Sequence, residues 1–96
     1  MLVIVTRNVA PRFRGFLASC TLEIAPGVYT APRITAGVRE RVWAVLTEWF
    51  GELSDGSIVM TWRDPKASAG QGLRFLGLPA KEIVKADGLF LVKREI

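Results

Sequence analysis

Histidine is absent from the 96 residues and cysteine occurs once, as Cys20. Without histidine the chain lacks the usual general base, the commonest metal ligand and every Ser/His or Cys/His nucleophilic arrangement. Any catalysis would have to rest on carboxylates with a metal, or on lysine. A lone cysteine excludes an internal disulfide and a CxxC metal or redox site, so nothing calls for an oxidising compartment and a cytoplasmic protein is expected. Cys20 itself is read as a small apolar core residue of the first helix. There is no GxxxxGK[ST] loop and no GxGxxG between a strand and a helix, which leaves nucleotide-cofactor folds without support; Gly70 and Gly72 are assigned to turn chemistry. Apolar runs such as residues 1–5, 58–60 and 89–92 are far too short to span a bilayer and lack signal-peptide flanks, so no membrane partner is expected.

What is present is apolar residues, at 50%, and a cationic excess of 13 Lys and Arg over 9 Asp and Glu, a formal net charge of +4. The first is enough for one domain, residues 1–96, with a core of its own. The second favours a polyanionic partner, although many ordinary domains carry as much.

Residues 1–6 are continuously apolar and β-branched, the pattern of a strand buried on both faces. Residues 8–10 form a turn. Pro11 suits a first helical position, and Phe13, Phe16, Leu17 and Cys20 follow at helical spacing, which predicts a helix over 11–21. Residues 22–24 and 28–30 are short β-type stretches around Ala25-Pro26-Gly27, either a bent strand or a tight hairpin. Thr35 can cap a second helix with Val38, Val42, Val45, Leu46, Trp49 and Leu53 on one face. A strand over 57–62, a polar loop over 63–70, a returning strand over 72–78, a charged connection over 79–87 and a final apolar strand over 88–92 complete the chain.

This order predicts an α+β, ferredoxin-like domain of βαββαβ type: an antiparallel sheet, two helices on one face and an extra C-terminal strand. The other face would be bare, yet residues 1–5, 58–60 and 89–92 are apolar at every position. A second copy packed face to face, making a two-fold homodimer, is the simplest cover; the alternative is the final strand folding over part of that face.

Arginine is disfavoured at a helix N-terminus by the helix dipole, whereas phosphate is favoured there. Arg12 and Arg14 flank Phe13 at that end of the first helix, with Arg7 and Asn8 just upstream. These four residues are candidates for binding nucleic-acid phosphates, the alternative being solvated surface charge. A two-fold dimer would present the group twice to one double-stranded DNA, blind to sequence and steeply salt-dependent. Lys81 and, more weakly, Lys85 could extend the surface. Arg33, Arg39 and Arg41 read as a solvated helix face, and Trp43, Trp49 and Trp62 as core or dimer interface. Asp55, Asp64 and Asp87 each sit beside Gly or Pro as turn residues do, with no motif-like spacing for a metal site.

The opening Met1-Leu2-Val3-Ile4-Val5-Thr6-Arg7-Asn8-Val9-Ala10-Pro11-Arg12-Phe13-Arg14-Gly15 resembles the start of the CRISPR-associated Cas-two family, specifically its subtype I-E branch. Leu22-Glu23-Ile24-Ala25-Pro26-Gly27-Val28-Tyr29, Val38-Arg39-Glu40 through Trp43, Ile58-Val59-Met60-Thr61-Trp62, Phe75-Leu76-Gly77-Leu78 and Asp87-Gly88-Leu89 continue the likeness in order. The resemblance implies a ferredoxin-like homodimer for CRISPR adaptation, or spacer acquisition, that lies between dimers of the larger integrase subunit and helps hold the prospective spacer duplex. It implies duplex-backbone contacts from Arg12 and Arg14. A basic pair of that branch falls on Ala80 and Lys81, so half of it is kept. It also implies an integrase contact through residues 88–96, including Leu89, Phe90, Leu91 and Val92, by strand-edge addition.

Members of the wider family have been described as magnesium-dependent endonucleases on RNA or duplex DNA, with a carboxylate just after the first strand. Arg7 stands there in this chain, and a cation would repel the metal. The expectation is a DNA-binding adaptor that needs no cofactor, with magnesium-dependent endonuclease as the alternative. A ferredoxin-like regulatory dimer binding a metabolite is a third reading.

Overall fold

The computed structural model describes residues 1–53, 56–77, 82–86 and 89–93. Strand β1 (Leu2–Arg7) lies at the middle of the main sheet, with its β-branched residues in extended backbone. It pairs antiparallel with β3 (Val28–Ala31) on one side and β4 (Ser57–Arg63) on the other. Beyond β3 lies β2 (Leu22–Ala25), and beyond β4 lies β5 (Gln71–Leu76), giving the order β2-β3-β1-β4-β5. The first four strands in that order, with α1 (Pro11–Cys20) between β1 and β2 and α2 (Ala36–Leu53) between β3 and β4, are the expected ferredoxin-like arrangement, and β5 extends it at the edge.

Burial alternates along β1 and β4 with the period of a pleated strand. Leu2, Ile4, Ile58 and Met60 are fully buried and share one core with Tyr29 of β3, Phe13 and Leu17 of α1, and Val42 and Leu46 of α2. Both helices therefore cover the same sheet face. Each such side chain contributes roughly 1.5–3 kcal/mol by leaving water. The opposite phase holds Val3, Val5, Val59, Leu73 and Phe75, of which Val5 is 41% exposed and the others half-buried. A single chain thus buries β1 on one face, where the sequence pattern predicts two.

Local chemistry fixes the ends of the elements. Pro11 opens α1 without a side-chain cap, and Thr21, in extended backbone, closes it by donating its N–H to the Leu17 carbonyl at 2.8 Å. Thr35 caps α2, its hydroxyl accepting the Val38 N–H at 3.2 Å. The stretch over residues 22–30 is a tight hairpin rather than a bent strand. Gly27, at φ 77°, turns it, and its carbonyl accepts the Thr6 N–H at 2.7 Å. Asp64 is a turn residue as expected: its carboxylate accepts the Lys66 N–H at 3.1 Å and its own N–H donates to the Gly70 carbonyl at 3.0 Å.

Four expectations change. The charged connection predicted over 79–87 contains a strand, β6 (Glu82–Ala86), paired with β7 (Leu89–Lys93) in a separate two-stranded sheet. Its lysine and glutamate mask the β pattern of the surrounding apolar residues. Cys20 is exposed instead of in the core, because it is the last residue of α1, at the end of the helix beyond the buried Leu17. Val38, assigned to the apolar face of α2, is 43% exposed in the first turn. Gly72 is not a turn residue: it lies within β5 beneath the indole of Trp62, which occupies the space a Cβ would need. Among the described residues no helix is long and apolar enough to cross a membrane.

Candidate nucleic-acid interface

The chain leaves β1 at Arg7 and turns at Asn8, whose φ of 56° is the left-handed conformation that asparagine tolerates better than most residues. Three residues later Pro11 starts α1. Arg7, Asn8, Arg12 and Arg14 are all exposed around this end of the sheet, and the first turn of α1 carries no acidic residue. The four residues proposed from sequence are therefore brought together by the β1–α1 connection.

Arg12 and Arg14 do not point the same way, since two helical steps separate them by roughly 200°. Arg12 faces α2. Its guanidinium carbon lies 4.7 Å from the Trp49 ring centroid and 5.8 Å from that of Phe13, and Nη2 donates to the Trp49 carbonyl at 3.5 Å. That carbonyl belongs to the C-terminal part of α2, where the helix dipole is negative. An arginine at the positive end of α1 calls for an anion to compensate it, and for Arg12 the neighbouring helix already supplies part of that compensation. Arg14 faces the other flank, towards Tyr29 and Glu23. The Tyr29 side chain is fully buried, and its hydroxyl has no partner at hydrogen-bonding geometry among the described residues. Burial pushes its phenol above the ordinary value; the Glu23 carboxylate adds to the rise and the Arg14 guanidinium opposes it.

A second cationic cluster is not apparent from the sequence pattern. Arg74 of β5 forms a two-pronged ion pair with Glu40 of α2, both N···O distances being 2.7 Å, and Arg39 adds a third contact at 3.2 Å. Arg39 and Arg74 lie 4.2 and 5.1 Å from the Trp62 ring centroid, so the indole sits against both guanidiniums. Arg39 is thus half-buried against an aromatic face instead of being simply solvated. The sequence carried one signal for this: Arg74 occupies the helix-facing phase of its strand, between Gly72 and Leu76. Arg74 and Arg39 hold the Glu40 carboxyl below the usual carboxylate range. A depressed folded-state value means that the stabilisation is complete above the unfolded carboxylate value and disappears as pH falls through the folded one. Glu40→Gln should therefore lower the urea midpoint at pH 7, and the difference from the unmodified chain should close below about pH 4.

Trp43, Trp49 and Trp62 pack against the core, as expected from their places on the α2 stripe and on β4. Lys81, Ala80, Asp55 and Asp87 lie outside the described residues. Leu89, Phe90, Leu91 and Val92 lie on the backbone of β7.

The residues present do not suit the magnesium ion that the nuclease alternative implies. The end of β1 offers Arg7, Asn8, Arg12 and Arg14, a cationic and amide set where carboxylates would be required. No group of three His, Cys, Asp or Glu that could hold a metal occurs among the described residues. A family model described as CRISPR-associated protein (Cas_Cas2CT1978) matches residues 1–91.

Proposed function

Because the chain belongs to this CRISPR-associated protein family (Cas_Cas2CT1978), we propose that it is the adaptor of spacer acquisition, a cytoplasmic homodimer that holds double-stranded DNA by its phosphates and bridges dimers of the integrase subunit. The subtype I-E branch is the one its opening resembles. The observation that carries the DNA contact is the exposed group Arg7, Asn8, Arg12 and Arg14 at the start of α1. There the guanidiniums and the amide can meet phosphate oxygens, and no first-turn carboxylate opposes them. Two-fold symmetry repeats the group, so that one duplex is gripped at separated places. Residues 88–96, with Leu89, Phe90, Leu91 and Val92, are assigned to the integrase, and Lys81 to an auxiliary DNA contact. The adaptor itself uses no cofactor.

The test is assembly with the integrase subunit and a short duplex, followed by native mass. Arg12→Ala/Arg14→Ala should keep its fold and its integrase contact while its apparent duplex affinity falls on the order of 10²-fold, as each missing charge-assisted hydrogen bond is repeated in the dimer. Retention of duplex at the original affinity would make these arginines ordinary surface charge. Magnesium should leave the duplex intact, and should affect its binding only as a competing counterion does. Chelator-sensitive cleavage by rigorously purified chain, abolished by Asp64→Asn, would replace the adaptor with the nuclease.

A further inference from the structure

We infer that Trp49 is the positioning residue of the DNA contact, holding the Arg12 guanidinium at the surface in the orientation in which it meets phosphate. The inference rests on the reading that Arg12 contacts DNA and adds a residue which neither the family match nor the sequence pattern assigns to that contact. Trp49 lies on α2, remote in sequence from α1, and meets Arg12 in two ways: its ring at 4.7 Å and its carbonyl at 3.5 Å. A guanidinium is planar and carries five N–H donors around its edge. Contact with an aromatic ring engages the face of that group, while on its edge, which recognises phosphate, Nη2 donates to the Trp49 carbonyl.

The ring is itself packed against two aromatic residues of α1. Phe13 meets it at a centroid distance of 5.7 Å and an interplanar angle of 84°, and Phe16 at 5.3 Å and 65°. Both are edge-type arrangements of the kind aromatic pairs prefer. Contacts therefore run from the core, through Phe13 and Phe16, to Trp49 and Arg12, and Phe13 also meets Arg12 directly at 5.8 Å. An arginine has several rotatable bonds, and ordering it on phosphate costs side-chain entropy. With the rotamer already selected by Trp49, less of that cost falls at the moment of binding.

A merely structural role for Trp49 makes a different prediction, because it would alter stability but not the number of phosphates neutralised. That number is read from the slope of log affinity against log salt, which changes by about 0.9 for each phosphate neutralised. The full chain, assembled with the integrase subunit, is titrated with a short duplex across a salt series. Arg12→Ala should flatten the slope by about one phosphate per protomer, and Trp49→Leu should flatten it by most of the same amount, with about fivefold weaker binding at low salt. Trp49→Tyr, which keeps an aromatic face, should restore both. Arg12→Ala/Trp49→Leu should be no flatter than Arg12→Ala alone. Leu46→Ala, a core truncation on α2 away from the Arg12 contact, should lower the melting temperature with the slope kept. Should Trp49→Leu fail to fold, Trp49→Met, which fills the space without an aromatic face, gives the same comparison against Trp49→Tyr.

An original slope in a folded Trp49 variant that lacks an aromatic face, with a flattened slope in Arg12→Ala, would overturn the positioning role and leave the DNA contact standing. An original slope in Arg12→Ala would overturn both.

Discussion

Gly56→Ala is expected to destabilise the fold by about 3 kcal/mol or more, through a collision that no side-chain rotation can relieve. Gly56 immediately precedes β4 and has φ 88°, in the left-handed region where a Cβ is strained wherever it points. A Cβ at this position would also meet the backbone carbonyl oxygens of Arg7 and Asn8, on the turn from β1 into α1. Both obstacles are main chain, and Arg7 is fixed by its pairing with Ser57, so accommodation requires β1 and β4 to separate at their shared end. For a domain of this length the loss corresponds to a fall in melting temperature of roughly 15 °C. The matched control is Gly15→Ala in α1, where a new Cβ meets nothing within 4 Å. Alanine is the better helix former, so this change should raise stability by about 0.5–1 kcal/mol. A thermal melt followed by circular dichroism checks both. An unchanged melting temperature in Gly56→Ala would show that the β1–α1 turn is not held against β4. The same substitution should disturb DNA binding, since the turn it displaces carries Arg7 and Asn8.

The ferredoxin-like order was legible in the sequence because its signals are local. Pro11 before a helical stripe, Pro26-Gly27 between short β stretches and Thr35 before the long α2 stripe each specify an element or a turn within a few residues. The exposed group at the start of α1 was legible for the same reason: Arg7, Asn8, Arg12 and Arg14 are close in sequence, and a strand followed by a helix brings them to one end of the sheet. What stayed hidden depends on contacts between distant segments. Trp49 and Arg12 meet only because α2 lies beside α1, and on the helical wheel Trp49 reads simply as one more apolar position. Arg74 and Glu40 pair across β5 and α2, and Gly72 is required by an indole from the neighbouring strand. β6 was missed because Glu82 and Lys85 give a short strand the composition of a loop. The misplaced arginines at the positive end of α1 do call for compensation, as local electrostatics dictates, but for Arg12 the C-terminal part of α2 supplies some of it within the chain, which no local pattern reveals.

Val59→Glu is expected to turn the proposed face-to-face dimer into a single chain, with a dissociation constant raised on the order of 10³-fold, because an unpaired carboxylate would be buried at the centre of that interface. Val59 lies on β4 and is paired with Val5 of β1 and Phe75 of β5, on the sheet face away from both helices. An antiparallel sheet that shows one face to water places polar residues there, yet Val3, Val5, Val59, Leu73 and Phe75 put an apolar cluster on this face, broken at Thr61. A second sheet laid against it would bury these side chains at the usual spacing of packed sheets, about 10 Å. Within one chain Val59 is only half-buried, so glutamate there should cost the isolated domain little and the variant should remain folded. Sedimentation at micromolar concentration reads the outcome as mass. A single-chain mass for the unmodified protein would remove the face-to-face dimer altogether. A dimer mass retained by Val59→Glu would move the interface to another surface, and the two Arg12 and Arg14 groups would then have to be placed by that other symmetry axis before any duplex could be laid across them.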